Sequence, residues 1–120
     1  MYFFDTYGLY QIAKGVESYS IFKKHAAIST TLMNLYELHY VICKEGDESL
    51  AELFFDRLLP FCLEIKAEDI KEASKFRLKH AKKRFSYIDA LGYVIAIRQG
   101  LFFVTGDDAF ESFEQVKFLK

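Results

Sequence analysis

Apolar residues fall along the chain in two kinds of run, and each kind predicts a different element. Short continuous runs, typical of buried strands, lie at residues 2–4, 26–29, 61–65, 101–105 and 116–119. Longer segments that are helical in pattern lie at residues 6–14, 31–44, 48–59, 67–84, 86–99 and 107–114. Short apolar strands separated by helices predict an α/β fold, in which helices cover a parallel sheet on both faces.

Local signals mark several of the element boundaries. Thr30 or Thr31 is suited to cap the helix that follows, because a threonine hydroxyl accepts hydrogen bonds from the first backbone N–H groups. Pro60 ends one helix, and Gly100 suits the left-handed cap of another. The stretch 15–25 has no clear pattern and leaves room for a second short helix. In parallel sheets of this kind, ligands bind outside the carboxyl ends of the strands, so we expect the functional residues there.

The composition predicts one domain over residues 1–120. The chain has 120 residues, of which 52% are hydrophobic, with one Pro, six Gly and no low-complexity tract, so it has a core and no linker. Cys43 and Cys62 are too few for a disulfide framework, and free thiols in the cytoplasm are the simpler interpretation. Residues 1–10 lack a basic leader and residues 26–43 are too short and polar to span a bilayer, so we expect neither a signal peptide nor a membrane partner.

The charge is unevenly distributed. The formal net charge of −1 and the isoelectric point near 6.3 exclude a basic footprint over the whole surface. Residues 71–84, however, carry seven Lys or Arg side chains and a single acidic one, Glu72, in one helix-length window. A smaller group at Lys23, Lys24 and His25 is interpreted as ordinary surface.

Four carboxylates occupy positions that are hard to explain structurally. Asp5 and Asp107 follow the predicted strands 2–4 and 101–105, where a ligand site is expected. Glu37 and Asp89 are lone charges on helices that are otherwise apolar or uncharged. Burying an ionised carboxylate costs several kcal/mol unless another group compensates it, and no Lys or Arg lies one helical turn away.

A divalent cation shared by the four carboxylates would compensate them together. Oxygen-only ligation suits Mg²⁺ or Mn²⁺, and without an ion the clustered carboxylates would repel one another. Taken singly, an Asp after a strand is more often a helix cap, and a Glu on an apolar helix is more often paired with a distant Arg. The pattern of four favours one shared site.

The same residues resemble the motifs of a known family. In order, they are Asp5-Thr6, the segment from Asn34 to Glu37, Asp89-Ala90-Leu91, and the segment from Thr105 to Phe110, which reads Thr-x-Asp-x-x-Phe. With this order and spacing the chain resembles the PIN-domain family, and within it the VapC-type toxins of type II toxin–antitoxin pairs. The stretch 14–27 carries no motif.

The resemblance implies a fold, an activity and partners. The fold is a three-layer α/β/α domain with a central parallel sheet of four or five strands. The activity is a Mg²⁺- or Mn²⁺-dependent endoribonuclease that hydrolyses phosphodiester bonds of single-stranded or structured RNA. The partners are a second copy of the chain in a homodimer and a cognate antitoxin protein that holds the toxin inactive.

The resemblance also suggests a role for each site residue. Asp5, Asp89 and Asp107 would ligate the metal, with Glu37 holding a water or a second ion. Supporting roles fall to Thr6, Asn34, Thr105 and Asp108, with Asn34 and Thr105 orienting the carboxylates through hydrogen bonds. Whether Asp107 or Asp108 faces the metal stays open, although Asp107 holds the motif position. A separate hypothesis comes from the basic window 71–84, in which Lys79, Lys82, Lys83 and Arg84 would contact the RNA backbone. The alternative, that these side chains form an ordinary solvated helix face, stays open.

Two other interpretations compete with the nuclease. The first is a PIN-like module that binds RNA or a protein without cutting it. The intact set of four acidic residues argues against this module, because loss of activity usually leaves such a set incomplete. A flavodoxin-like phospho-receiver would want an acidic pair after the first strand and a Lys after the last strands, whereas Asp5 stands alone and Lys117 lies inside a predicted strand.

Overall fold

The computed structural model describes residues 1–22 and 27–120. These residues form a sheet of four strands and five α-helices, together with short 3₁₀ turns. In chain order the elements are β1 (Tyr2–Phe4), α1 (Thr6–Ala13), β2 (Ile28–Ser29), α2 (Leu32–Lys44), α3 (Glu48–Leu58), α4 (Ala67–Lys79), α5 (Tyr87–Arg98), β3 (Phe102–Thr105) and β4 (Val116–Phe118). The basic group at Lys23, Lys24 and His25 lies outside the described residues, as do parts of the predicted second helix and of the strand 26–29.

The sheet is parallel throughout, with the strand order β2-β1-β3-β4. In its centre Phe4 of β1 pairs in register with Val104 of β3. The backbone N–H of Asp5 then donates to the carbonyl of Val104 at 3.2 Å, so the ladder continues one residue beyond β1. The carboxyl ends of the two central strands therefore lie side by side, and the residues that follow them emerge at one edge of the sheet.

Side chains of the central strands alternate between two hydrophobic cores, one on each face of the sheet. Phe4 and Val104 pack with residues of α1, α2 and α3, among them Leu35. Phe3 and Phe103 face the other way and pack with Tyr93 of α5 and the aromatic residues around it. Because neighbouring residues of a strand point to opposite faces, the run of apolar residues fills both cores. The result is the three-layer α/β/α architecture that the sequence predicted, with four strands.

The prediction of a strand at residues 61–65 is wrong. Leu59–Phe61 forms a 3₁₀ turn with Pro60 at its start, and the chain then meets the sheet at one bridge between Cys62 and Thr30. Thr30 exchanges two backbone hydrogen bonds with the carbonyl of Phe61 and the N–H of Leu63. A single bridge is too short to form a strand, so this apolar run packs beside the sheet without extending it.

Two helices are shorter than the sequence predicted. The helix predicted at 67–84 ends at Lys79, and a 3₁₀ turn at Ala81–Lys83 leads to Arg84, whose φ of +58° is left-handed. This turn reverses the chain so that α5 can pack along α4. The helix predicted at 107–114 is only the 3₁₀ turn Asp108–Phe110, because the chain must re-enter the sheet at once as β4.

One buried ion pair joins α4 to α5. The guanidinium of Arg98 donates to both carboxylate oxygens of Asp69, at 2.6 and 2.8 Å. Asp69 is only 1% exposed, and burial by itself would raise its pKa, but the bonds from Arg98 and from the backbone N–H of Lys66 hold the pKa below its usual range. Asp69 is therefore ionised at neutral pH and depends on Arg98 for its charge balance.

None of the helices formed by the described residues combines the length and the apolar character that crossing a membrane requires.

We expect Arg98→Ala to lower the free energy of unfolding by about 3 kcal/mol at pH 7, because it leaves an ionised carboxylate buried without its partner. Urea denaturation measures the change. The matched control is Lys75→Ala, which removes an exposed pair with Glu72 and should cost less than about 0.5 kcal/mol. Equal losses in the two variants would show that the Arg98 pair does not hold α4 against α5.

Candidate functional site

Asp5 lies at the carboxyl end of β1 and is only 4% exposed. Its Oδ1 accepts the backbone N–H of Gly8 at 2.8 Å, which makes Asp5 the N-cap of α1. Its Oδ2 accepts the hydroxyl of Thr105 at 2.5 Å, across the β1–β3 pair. Both bonds favour the charged form, but burial outweighs them and raises the pKa of Asp5 to about 7.

Thr105 connects Asp5 to the next acidic residue. Its hydroxyl oxygen donates to Asp5 and also accepts the backbone N–H of Asp107 at 3.0 Å. Asp107 in turn uses Oδ1 to accept the N–H of Ala109, which caps the 3₁₀ turn Asp108–Phe110. The orienting role that the sequence suggested for Thr105 thus has a structural basis.

Asp89 is held at the start of α5 by a reciprocal cap. Its Oδ2 accepts the N–H of Ser86 at 2.9 Å, while the hydroxyl of Ser86 accepts the N–H of Asp89 at 3.0 Å. Burial raises the pKa of Asp89 above its ordinary value, against the two bonds with Ser86, and the charges of Glu37 and Asp107 raise it further. Ser86 is a residue that the sequence reasoning missed, although the spacing Ser-x-x-Asp before an apolar helix is the signature of a capping box.

Asn34 and Glu37 lie three residues apart on α2, and therefore on neighbouring positions of one helix face. Asn34 is buried. Its Oδ1 accepts the hydroxyl of Thr31 at 2.6 Å, and its Nδ2 donates to the hydroxyl oxygen of Thr6 at 3.2 Å. Asn34 thus ties α2 to the first residue of α1, beside Asp5. The sequence suggested that it orients a carboxylate directly, but the described hydrogen bonds of its amide group go to these two threonines.

The fold brings the four predicted carboxylates into one electrostatic environment. The charges of Asp89 and Asp107 raise the pKa of Asp5, and the charges of Glu37 and Asp107 raise that of Asp89. Among the described residues none of the four forms an ion pair with a Lys, Arg or His side chain. The negative charge of the cluster is therefore uncompensated within the described part of the chain.

Asp108 points elsewhere. Its carboxylate pairs with the ammonium group of Lys120 at 3.1 Å on the exposed surface. Of the two neighbouring aspartates, Asp107 is the one whose charge acts on Asp5 and Asp89. The motif position and the electrostatics therefore agree on Asp107.

The donor chemistry of the cluster fits a hard divalent cation. Carboxylate oxygens are the ligands that Mg²⁺ and Mn²⁺ prefer, and a buried carboxylate with a raised pKa and no cationic partner is a group that gains from a nearby positive charge. Within residues 1–22 and 27–120, no three Asp, Glu, His or Cys side chains form a group that could hold an ion as they stand. The carboxylates would have to converge further to share one.

The predicted basic contact residues lie on the approach to Asp89. Lys79 ends α4, Lys82 and Lys83 lie in the following 3₁₀ turn, and Arg84 is its left-handed cap. All four are exposed, and among the described residues none pairs with a carboxylate. The turn leads through Ser86 directly to Asp89, so the positive surface immediately precedes the start of α5 along the chain.

Tyr7 is a second residue beside the site to which the sequence analysis assigned no role. A Cβ built on the buried Gly106 would overlap the ring of Tyr7, so glycine is required for this close approach. Gly106 stands between Thr105 and Asp107. The ring of Tyr7 therefore packs against the backbone between Thr105, the last residue of β3, and Asp107, which follows the strand.

The fold and the cluster define a three-layer α/β/α domain with an acidic site at the carboxyl edge of its sheet. The family model of the PIN domain matches residues 7–116, nearly the whole chain, and the chain belongs to the PIN domain family. The match begins after Asp5, whose place in the site rests on the geometry. Membership of this family removes the phospho-receiver interpretation.

Solved structures share the fold at low sequence identity. VapC20 of Mycobacterium tuberculosis, described as a toxin that cleaves the sarcin–ricin loop, has a TM-score of 0.79 at 15% identity and covers 97% of this chain and 98% of its own. A toxin–antitoxin complex from Klebsiella pneumoniae has a TM-score of 0.76 at 15% sequence identity, and the match covers 98% of this chain and 96% of that one. VapBC2 of Rickettsia felis, bound to a DNA fragment of its promoter, has a TM-score of 0.73 at 20% sequence identity, and the match covers 99% of this chain and 98% of that one. No curated protein matches the chain by sequence.

We expect the stability of the divalent-free protein to fall as the pH rises from about 4 to 7. Asp5 titrates at 3.8 in the unfolded chain and about 7 in the folded one, so across this window the folded state keeps a proton that the unfolded chain has released. The loss is on the order of 4 kcal/mol for such a shift. Urea denaturation of wild type and Asp5→Asn in chelator measures it. Asparagine keeps the cap but carries no charge, so the variant should show a flatter profile; parallel profiles would contradict the shift.

We expect Gly106→Ala to destabilise the protein by about 1–3 kcal/mol, because the new methyl group forces the ring of Tyr7 aside. In a chain that already carries Tyr7→Ala, the same change should cost less than about 0.5 kcal/mol, since the obstruction is gone. A double-mutant cycle in urea measures this coupling. Additive losses would mean that the backbone at Gly106, and not the ring, sets the requirement.

Proposed function

We propose that this protein is a Mg²⁺- or Mn²⁺-dependent endoribonuclease and the toxin of a type II toxin–antitoxin pair. The observation that carries the proposal is the cluster of Asp5, Asp89, Asp107 and Glu37. The charges of its members raise the pKa of Asp5 and that of Asp89, and none of the four has a cationic partner in the described residues. Its place at the carboxyl edge of the sheet in a PIN-family chain supports the nuclease assignment.

The residues that would hold the cation are Asp5, Asp89 and Asp107, with Glu37 at their side. When bound, the ion would lower the pKa of an attacking water and neutralise charge on the phosphate. Thr105 and Gly8 hold the carboxylate of Asp5 in one orientation, and Ser86 holds that of Asp89. These hydrogen bonds fix the orientation of the two carboxylates before any substrate binds. The chain itself would therefore contribute acidic groups already positioned beside the phosphodiester to be cleaved.

The basic turn would supply the affinity for the substrate. Lys79, Lys82, Lys83 and Arg84 are exposed and lie just before Asp89 along the chain, whereas the acidic cluster by itself repels a polyanion. Contacts from these side chains to RNA phosphates would hold the strand near Asp89, and their contribution would weaken as salt is added. They carry no sequence information of their own.

The known relatives of similar fold support a protein partner for the chain. Two of those structures are toxin–antitoxin assemblies, and a third relative is described as a toxin that cleaves the sarcin–ricin loop. They support a cognate antitoxin as a partner. An RNA substrate and a homodimer belong to the proposal as well, on the resemblance given by the sequence motifs. Exposed apolar side chains on α2, such as Leu32, Tyr36 and Tyr40, offer surface for a protein partner.

One observation favours a second candidate, a PIN-domain module that binds RNA or protein without cutting. No three potential ligands in the described residues form a group ready to hold an ion. In such a module the aspartates would serve only as helix caps. Because capping needs an oxygen acceptor and not a charge, the two candidates differ in how they respond to removal of charge alone.

We expect cleavage of single-stranded RNA in Mg²⁺ or Mn²⁺, none in chelator, and products with 5′-phosphate and 3′-hydroxyl ends. Asp89→Asn and Asp107→Asn should lower the rate by at least about 100-fold, the upper end of what loss of an outer partner costs at a metal site. Asparagine retains the oxygen that accepts the N–H of Ser86 or Ala109, so neither loss can be attributed to a missing cap.

The matched control is Asp108→Asn, which changes the adjacent exposed residue and should stay within about threefold of wild type. Cleavage that survives chelator or Asp89→Asn would contradict the proposed nuclease, as would 2′,3′-cyclic phosphate ends. RNA binding without cleavage in any divalent ion would favour the binding module.

A further inference from the structure

Tyr87, the first residue of α5, is exposed over 76% of its surface, yet its ring is not free to move at random. The guanidinium carbon of Arg77 lies 4.1 Å from the ring centroid, a distance typical of a stacked cation–π contact. Arg77 projects from α4, on the other side of the basic turn. One face of the aromatic ring is therefore covered, and with so large an exposed fraction the opposite face must be open to solvent.

Arg77 is itself fixed. Its Nε donates to the carbonyl of Phe85 at 2.8 Å, and Phe85 is buried in the aromatic core between α4 and α5. The guanidinium thus lies on a rigid support and orients the ring above it. Preorganisation of this kind lowers the entropy that a ligand must remove when it stacks on the ring.

The ring borders a shallow cavity of about 450 Å³. Its lining contains Arg77 and Arg84 but no acidic side chain, and it includes Leu78, which is 79% exposed. A planar apolar surface next to two positive charges, of which that of Arg77 is fixed, matches a ligand that combines a flat ring with a phosphate. Among macromolecules, an unpaired nucleotide has that combination.

Tyr87 and the cavity beside it lie close along the chain to Asp89 of the acidic cluster. Tyr87 precedes Asp89 by two residues, and Ser86, its other neighbour, holds the carboxylate of Asp89. Residues two positions apart on a helix point to different sides, so a strand whose phosphate lies at the acidic cluster would have to pass around the first turn of α5 to bring a further nucleotide to the Tyr87 ring. In a duplex both faces of each internal base are already stacked, so a paired strand cannot use this surface.

We propose that Tyr87, backed by Arg77, is the stacking platform for one unpaired base of the substrate strand, with Arg84 beside that nucleotide's phosphate. The proposal rests on the proposed function only in that the same strand reaches Asp89. The Tyr87 platform would select single-stranded segments, because only unpaired bases have an exposed face, whereas the lysines of the turn attract any polyanion.

The test uses the absence of tryptophan from the chain. Tyr87→Trp introduces one indole at the platform, and a base that stacks on it quenches its fluorescence. We expect a short single-stranded RNA, titrated in chelator so that nothing is cleaved, to quench this indole. The same sequence as a duplex, and polyglutamate of equal charge, should leave it unchanged. The matched control is Phe102→Trp, exposed at the amino end of β3 and so at the opposite edge of the sheet, which should not respond to any of the three.

Binding of unlabelled variants gives an independent measure. Tyr87→Ala should weaken single-stranded RNA binding roughly 5- to 100-fold, the range that loss of one stacked base produces, and leave duplex binding unchanged. Tyr87→Phe, which keeps the ring, should bind as wild type. The side chain is exposed and the cap of α5 belongs to Ser86, so Tyr87→Ala is expected to fold normally.

Three results would overturn the platform: no quenching by single-stranded RNA, equal quenching by duplex or polyglutamate, or unchanged affinity in Tyr87→Ala. Failure of the proposed nuclease is distinguishable, because it would appear as absent cleavage in divalent ions while the single-stranded RNA still quenches the indole in chelator. Cleavage with an unaltered KM in Tyr87→Ala would reject the platform alone.

Discussion

The hydrogen bond from the Thr105 hydroxyl to the carboxylate of Asp5 joins the two central strands where they leave the sheet. It depends on the in-register pairing of Phe4 with Val104, which puts the following residues of β1 and β3 side by side. The same hydroxyl oxygen accepts the N–H of Asp107, so one threonine sets the positions of two aspartates. A one-residue slip of either strand would turn Thr105 to the opposite face of the sheet and separate them.

The site is energetically unfavourable chiefly because Asp5 is buried. Asp5 is enclosed by the sheet, α1 and the segment that Tyr7 packs against, and this burial raises its pKa to about 7. Asp89 and Glu37 arrive from separate helices on opposite faces of the sheet, so the negative charge accumulates only when all three layers are assembled. Charge repulsion among these groups and the packing of the two cores therefore oppose each other, and a bound cation would relieve the opposition.

The sequence was sufficient for features that depend on local pattern. Apolar runs predicted β1, β2, β3 and β4, and the rule that ligands gather at the carboxyl ends of parallel strands located Asp5 and Asp107. It failed where the tertiary context decides. The run at 61–65 is as apolar as a strand, but Pro60 and a 3₁₀ turn leave only one bridge to Thr30. The helix at 67–84 ends early because α5 has to pack back along α4.

Contacts between distant residues were also beyond the sequence pattern. Nothing in the periodicity of α2 shows that the amide of Asn34 reaches Thr6, or that Arg77 of α4 would lie over a ring ten positions later. Each depends on how two elements are oriented after the chain has turned. The capping pair of Ser86 and Asp89 differs, since it lies within four residues and its spacing alone could have been read.

Asp5 and Asp107 each cap a helical segment, and Asp89 accepts the N–H of Ser86 in the capping box of α5, so each of the three aspartates has a structural role besides its part in the acidic cluster. Starting a helix needs only an acceptor atom, whereas attracting a cation needs the charge as well. During divergence, exchange to asparagine or serine would silence the chemistry and spare the architecture, while exchange to an aliphatic residue would damage both. Descendants of such a chain that have abandoned their activity should therefore be recognised by uncharged polar residues at these three positions, on an otherwise unaltered scaffold.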